Sequence, residues 1–191
     1  MTTFARAVPG NAYTHTAIAL HWLIALGLAG TFGLGVYMSD LPLSPAKLQL
    51  YSWHKWAGVS LFVLSLARLA WRLSHRPPAL PATMATLERL GARFAHAALY
   101  ALTLAIPVSG WLMSSAKGVQ TVWFGVLPLP DLVVRDAALG ERLLGVHQAL
   151  NLALALIVLL HVGAALKHHL IDRDDVLARM LPFLRQRGRS A

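Results

Sequence analysis

At 191 residues, 57% hydrophobic and only 13% charged, with a mean hydropathy of +0.56, the chain is too apolar for an ordinary water-soluble domain and reads as an integral membrane protein. Its net charge of +9 would suggest nucleic acid in a soluble protein. Basic residues gathered in cytoplasmic flanks account for the excess here, so no nucleic-acid partner is expected.

Crossing ~30 Å of hydrocarbon takes ~20 apolar residues as helix, and four segments qualify: roughly 17–37, 52–73, 94–115 and 143–166. The first follows a leader charged only by Arg6. Its apolar run exceeds the ~7–15 residues of a signal peptide and no small-residue cleavage site follows, so it reads as a retained helix. Gly27, Gly30, Gly33 and Gly35 within it follow no strand and read as close helix packing, not as a nucleotide loop. The second segment opens with WHKWAG, which contains His54, Lys55 and Gly58, and carries Arg68. After the Pro-rich connection SHRPPALPAT (74–83), the third segment carries His96. The longer connection WFGVLPLPDLVVRD (123–136) reads as a loop, and the fourth segment contains GVHQALNLALALIVLLHVGA (145–164), followed by a basic tail at 167–191. No repeat or second domain is visible. The expected fold is all-α: one multi-pass transmembrane four-helix bundle over residues 1–191.

Orientation follows from the charges in the short connections. One side holds Arg6, Arg72, Arg76, Arg89, Arg93, Lys167, Arg173, Arg179, Arg185, Arg187 and Arg189; the other holds Lys47, Lys55, Lys117, Arg135 and Arg142. Both termini are therefore expected in the cytoplasm.

Within the fourth segment, His147 and His161 are fourteen residues apart, about 21 Å along a helix and within ~40° in projection. One face thus carries an imidazole near each membrane surface. Ionisable groups in a span are costly and normally face the bundle interior. His21, a turn into the first helix, lies at the level of His161; His54, near the start of the second, lies at the level of His147. A lone histidine on an apolar helix is ordinarily a satisfied core residue, but two pairs at two depths suit two b hemes, each needing two axial imidazoles from facing helices. Gly58, Gly145, Ala149, Gly163 and Ala164 would leave room for the macrocycles. Divalent-metal transport would favour clustered ligands with intramembrane carboxylates, and all eight acidic residues lie in loops, tails or helix ends. The absence of cysteine excludes thioether attachment, cysteine-held iron–sulfur clusters and disulfides, so any heme is noncovalent. His96 lies near the inner level, where geometry alone lets it replace His21 or His161. Arg68 repeats the fourteen-residue spacing from His54; it either holds a propionate of the inner heme or snorkels to the headgroups.

These features form an ordered set: HW at His21–Trp22, H-x13-R from His54 to Arg68, H-x3-Y-x6-P-x2-G from His96 to Gly110, WFG at Trp123–Gly125, H-x13-H from His147 to His161, HH at His168–His169, and D-x-L-x-R-M-x-P from Asp175 to Pro182. The set resembles the bacterial cytochrome b561 family over about residues 13–182, a family similar to the b-type cytochrome subunits of hydrogenases and formate dehydrogenases. The resemblance implies a diheme protein of the bacterial inner membrane, its metal ligands being His54 with His147 at the outer heme and His21 with His161 at the inner. It leaves His96 as a propionate, quinone or structural partner. The best-matching branch looks like the superoxide:ubiquinone oxidoreductases, which take electrons from periplasmic superoxide and pass them to quinone. No catalytic side chain is then required, because the hemes carry the redox chemistry. The alternative is a cytochrome b subunit passing electrons between a partner dehydrogenase or hydrogenase and the quinone pool; a non-redox membrane protein with structural histidines is a third reading. Membrane lipid, quinone and superoxide are the expected contacts, with a homodimer or a partner redox subunit left open. At the cytoplasmic ends, His168, His169, Arg72 and Asp172 are candidates for binding quinone or delivering protons. At the outer end, Lys55 and Arg142 are candidates for steering a small anion to the heme edge.

Overall fold

The computed structural model of the chain describes residues 12–81 and 84–184; Arg6, Arg185, Arg187 and Arg189 lie outside the described residues. Its helices are α1 (His15–Ser39), α2 (Pro45–Ser74), α3 (Thr86–Ala116), α4 (Ala137–Leu170) and the short α5 (Val176–Met180), with a two-stranded antiparallel ribbon of β1 (Val122–Trp123) and β2 (Leu127–Pro128) before α4. The four long helices are each long and apolar enough to cross a membrane. The all-α four-helix reading is correct.

Every long helix runs past its expected span. Apolar windows find only the lipid-facing middle, whereas helix ends are set by capping, which satisfies the first free amides. Thr14 Oγ1 accepts from Ala17 N to start α1, Ser44 Oγ from Lys47 N to start α2, with Pro45 in the first turn, and Asp136 Oδ1 from Leu139 N to start α4. The segment 123–136, expected to be a plain loop, instead contributes to the ribbon. Phe124 and Gly125, at φ 50° and 72°, turn the chain between the strands, a left-handed conformation that glycine adopts without strain. The tail expected from residue 167 begins as the last turn of α4 and then folds back as α5.

The helices pack in sequence, α1 on α2, α2 on α3 and α3 on α4, while α4 stands off from α1 and α2. The tightly buried set is small and includes Ile24, Leu61, Ile106 and Leu154, together with Ser65, Thr103, Ser109, Ser114 and Ser115. Large apolar side chains such as Leu26, Leu156, Leu159 and Leu160 are turned outward, as helices in lipid require.

Indole N–H groups fasten both ends. At the His54 end, Trp56 Nε1 donates to the Val122 carbonyl (2.6 Å), Trp111 Nε1 to the Pro130 carbonyl (3.0 Å) and Trp123 Nε1 to Ser60 Oγ (3.3 Å). At the His21 end, Trp22 Nε1 donates to the Met180 carbonyl (2.9 Å), and the buried Arg179 guanidinium spans Asp175 and the Ala79 carbonyl. The first and last motifs of the sequence are thereby joined.

The α1–α2 contact makes a direct prediction. A Cβ on Gly27 would meet Leu61 Cδ2 at 2.6 Å, whereas one on Gly30 meets nothing within 4 Å. Because Leu61 is 5% exposed and has little freedom to move, Gly27→Ala should cost about 1–3 kcal/mol. Gly30→Ala should be neutral or stabilise by up to about 1 kcal/mol through helix propensity. Thermal unfolding in detergent, read by circular dichroism, distinguishes opposite shifts from equal ones.

Candidate functional site

Because α4 stands off from α1 and α2, its two interior histidines face partners across a gap. The His54 and His147 ring centroids are 6.4 Å apart at an interplanar angle of 77°, and those of His21 and His161 are 6.3 Å apart at 65°. These separations and angles lie at the long end of edge-to-face ring contact and are too long for a direct imidazole–imidazole hydrogen bond. Two imidazoles bonded through nitrogen to opposite sides of one metal ion, with metal–nitrogen bonds of ~2.0 Å, put their centroids ~6.3 Å apart. Both pairs match that spacing. Neither includes a carboxylate or thiolate, and the donor set fits a b-type heme with two axial imidazoles.

The His54–His147 pair sits in a cradle of small residues. A Cβ on Gly35 would approach His54 Cε1 to 3.2 Å, and one on Gly110 would approach His147 Cε1 to 3.2 Å. Gly58, Gly145 and Gly163, the glycines expected from the sequence to make room, have open space around them; the ones that matter for the imidazole edges are on the neighbouring helices. Ser109 Oγ lies 2.9 Å from His147 Nδ1 and donates to the Ile106 carbonyl at 2.7 Å. Asn151 Nδ2 donates to the His147 carbonyl. His54 Nδ1 is buried and has no hydrogen-bond partner, and the Thr31 backbone lies beside the ring.

At the level of His21 and His161, His96 packs edge-on against His161 at 5.4 Å and 67°, closer than two rings on opposite sides of one metal ion would stand. Trp22 packs against His21 at 5.2 Å. Arg68 Nη1 donates to the Ala17 carbonyl at 2.8 Å, and the guanidinium groups of Arg68 and Arg72 stand 6.0 and 5.6 Å from the Tyr100 ring centroid. Arg68, Trp71, Arg72, His75, Arg76 and Tyr100 line one cleft, and none of its arginines meets a carboxylate in an ion pair among the described residues.

The remaining candidates divide. His168 Nδ1 is 2.7 Å from Asp174 Oδ2 and 3.1 Å from Asp172 Oδ2, and Lys167 Nζ bridges Asp172 to Glu88. Arg72 is not part of that cluster; it belongs to the Tyr100 cleft. His169 is partly exposed beside His168. Lys55 Nζ donates to the Val119 carbonyl at 3.1 Å, and Arg142 is exposed. Sequence reasoning missed Ser109, Gly35 and Asp174. The signal for the first was present: Ser109 stands between the Pro and Gly of the P-x2-G motif.

The family model described as prokaryotic cytochrome b561 matches residues 12–183. The chain is 34% identical over 170 residues to Cytochrome b561 homolog 2 of Escherichia coli K12, covering 88% of this chain and 90% of that protein. It is 27% identical over 173 residues to Cytochrome b561 homolog 1 of the same organism, covering 90% and 98%. A further match, 27% identical over 176 residues and covering 89% and 96%, is a protein of Yersinia pestis named Probable superoxide oxidase CybB. With four helices long and apolar enough to cross a membrane and a family match over nearly its whole length, the chain belongs to the prokaryotic cytochrome b561 family, bacterial membrane proteins that transfer electrons on b-type heme.

Proposed function

We propose that the protein binds two b hemes, one between His54 and His147 and one between His21 and His161, and that it oxidises superoxide at the periplasmic face while reducing ubiquinone at the cytoplasmic face of the inner membrane. The observation that carries this reading is the pair of 6.3 and 6.4 Å imidazole separations at opposite ends of α4. The relative named as a probable superoxide oxidase supports the choice of donor. Both termini then lie in the cytoplasm, with the basic connections.

When bound, heme supplies a reversible one-electron carrier held in a low-dielectric interior. The chain's own side chains do the rest. Lys55, held by the Val119 carbonyl with Asp131 nearby, and Arg142 place positive charge beside the outer pair, which raises the encounter rate of a small anion. Arg68 is suited to a propionate because guanidinium binds carboxylate through paired hydrogen bonds. Arg72, over Tyr100 in an aromatic-walled cleft, is suited to a quinone carbonyl. His168, oriented by Asp174 and Asp172, is suited to proton delivery, with His169 beside it. Two superoxide anions yield two dioxygen molecules and two electrons; with two cytoplasmic protons these convert one ubiquinone to ubiquinol.

A pyridine hemochrome assay on the purified protein should return two hemes per chain. Alanine at His54 or His147 should remove or perturb one, alanine at His21 or His161 the other, and His15→Ala neither. One heme in the wild type would defeat the pairing.

Stopped-flow mixing of the isolated oxidised protein with superoxide should reduce heme within the mixing experiment, at a rate that falls as ionic strength rises. A Lys55→Gln, Arg142→Gln double variant should be roughly tenfold slower at low salt, with a flatter salt dependence. Equal rates and slopes would remove both residues from the mechanism. A protein indifferent to superoxide but reduced by a partner dehydrogenase would instead be a cytochrome subunit.

A further inference from the structure

We infer that Ser109 is a positioning residue for the outer heme: it accepts the Nδ1 proton of His147, fixes the tautomer of that ring, and so sets the electron donation of His147 to iron. The inference rests on the reading of His147 as a ligand.

A serine hydroxyl has a single proton to donate. At Ser109 that proton goes to the Ile106 carbonyl, 2.7 Å away within α3, in a position only 5% exposed. Toward His147 Nδ1, 2.9 Å away, the same oxygen can only accept. With the hydroxyl proton given to the Ile106 carbonyl, Nδ1 carries the ring proton and Nε2 keeps the free lone pair that a metal needs. The opposite arrangement, with the hydroxyl donating to Nδ1, would strand the Ile106 carbonyl of its side-chain bond and put the proton on Nε2.

Local sequence builds this arrangement. Pro107 has no N–H to give to the preceding turn, and Ser109 and Gly110 follow it on the face of α3 turned to α4. Gly110 is the only residue type that fits there without displacing the imidazole, because a Cβ would come within 3.2 Å of Cε1 and 3.5 Å of Nδ1. Serine supplies the acceptor and glycine supplies the space. His54, on the other side of the pair, has no such bond: its buried Nδ1 has no hydrogen-bond partner. The two rings of one site are therefore held differently, and Ser109 governs one of them.

An accepted Nδ1 proton makes an imidazole a stronger donor and favours ferric over ferrous iron, so removing the acceptor should raise the midpoint potential of one heme. The test is a redox titration of full-length Ser109→Ala and Ser109→Thr proteins, with heme content measured alongside. The expected result is two hemes in each, an upward shift of one midpoint in Ser109→Ala with the other unmoved, and a return toward the wild-type value in Ser109→Thr. If Ser109→Ala loses one heme outright, retention of that heme in Ser109→Thr carries the same conclusion. Unchanged midpoints in Ser109→Ala, which would mean that the Ile106 carbonyl facing the ring serves equally well, overturn it. So does loss of the heme in both variants, because the hydroxyl is then not what matters. If His147→Ala retains both hemes, it is the ligand assignment that has failed, a result distinct from either of these.

Discussion

An imidazole ring inside a hydrocarbon span has two nitrogens to satisfy and no water to satisfy them with. Much of the bundle follows from that constraint. Four such rings in two pairs need facing helices that do not close on one another, and α4 is accordingly packed on α3 while standing off from α1 and α2. Around His54 and His147 the neighbours include small residues, Gly35 and Gly110, and one well-used hydroxyl, Ser109, whereas His21 and His161 are packed by the rings of Trp22 and His96. Bulk is kept to the outside, where leucines meet lipid at no cost. The modest amount of tightly buried apolar surface is what results when the middle of a bundle is given to polar rings.

A helix satisfies its own backbone, but the pieces joining the helices do not, and near a bilayer an unpaired carbonyl is expensive, roughly 1–3 kcal/mol. The protein meets this with tryptophan. Each of Trp22, Trp56 and Trp111 gives its indole N–H to a carbonyl in a non-helical segment or at a helix end, while the ring covers apolar surface. The ribbon between α3 and α4 and the returning α5 are held by such bonds, the latter reinforced by the Arg179 guanidinium on the Ala79 carbonyl. The two ends use the same chemistry with different partners, a ribbon at one and a short helix at the other.

The four helices and the pairing of histidines by depth were readable from sequence because both depend on one-dimensional quantities: the length of an apolar run and fourteen residues' worth of rise and rotation. Helix ends were not, since α2 and α3 begin in polar sequence that a window for lipid ignores. Nor was the ribbon, because a two-residue strand leaves no periodic pattern and the turn at Phe124–Gly125 begins with an aromatic residue. Gly58, Gly145 and Gly163 do leave open space, but the glycines that admit the imidazole edges, Gly35 and Gly110, sit on the opposing helices and far along the chain from the rings they face, where adjacency in sequence gives no signal. Arg72 was grouped with His168 by depth alone; depth gives height along the bundle and not position around it.

The bond between Trp22 and the Met180 carbonyl spans 158 positions in the chain, from the first helix to the last. Translation proceeds from one to the other, so the indole of Trp22 has no native partner until almost the entire polypeptide has been synthesised. At the end that contains His21 and His161, Arg68 and Trp71 can tie α2 to the start of α1 early, and the Trp22 bond is added last. A truncation that removed α5 would leave Trp22 and the Ala79 carbonyl without the partners that the end of the chain supplies.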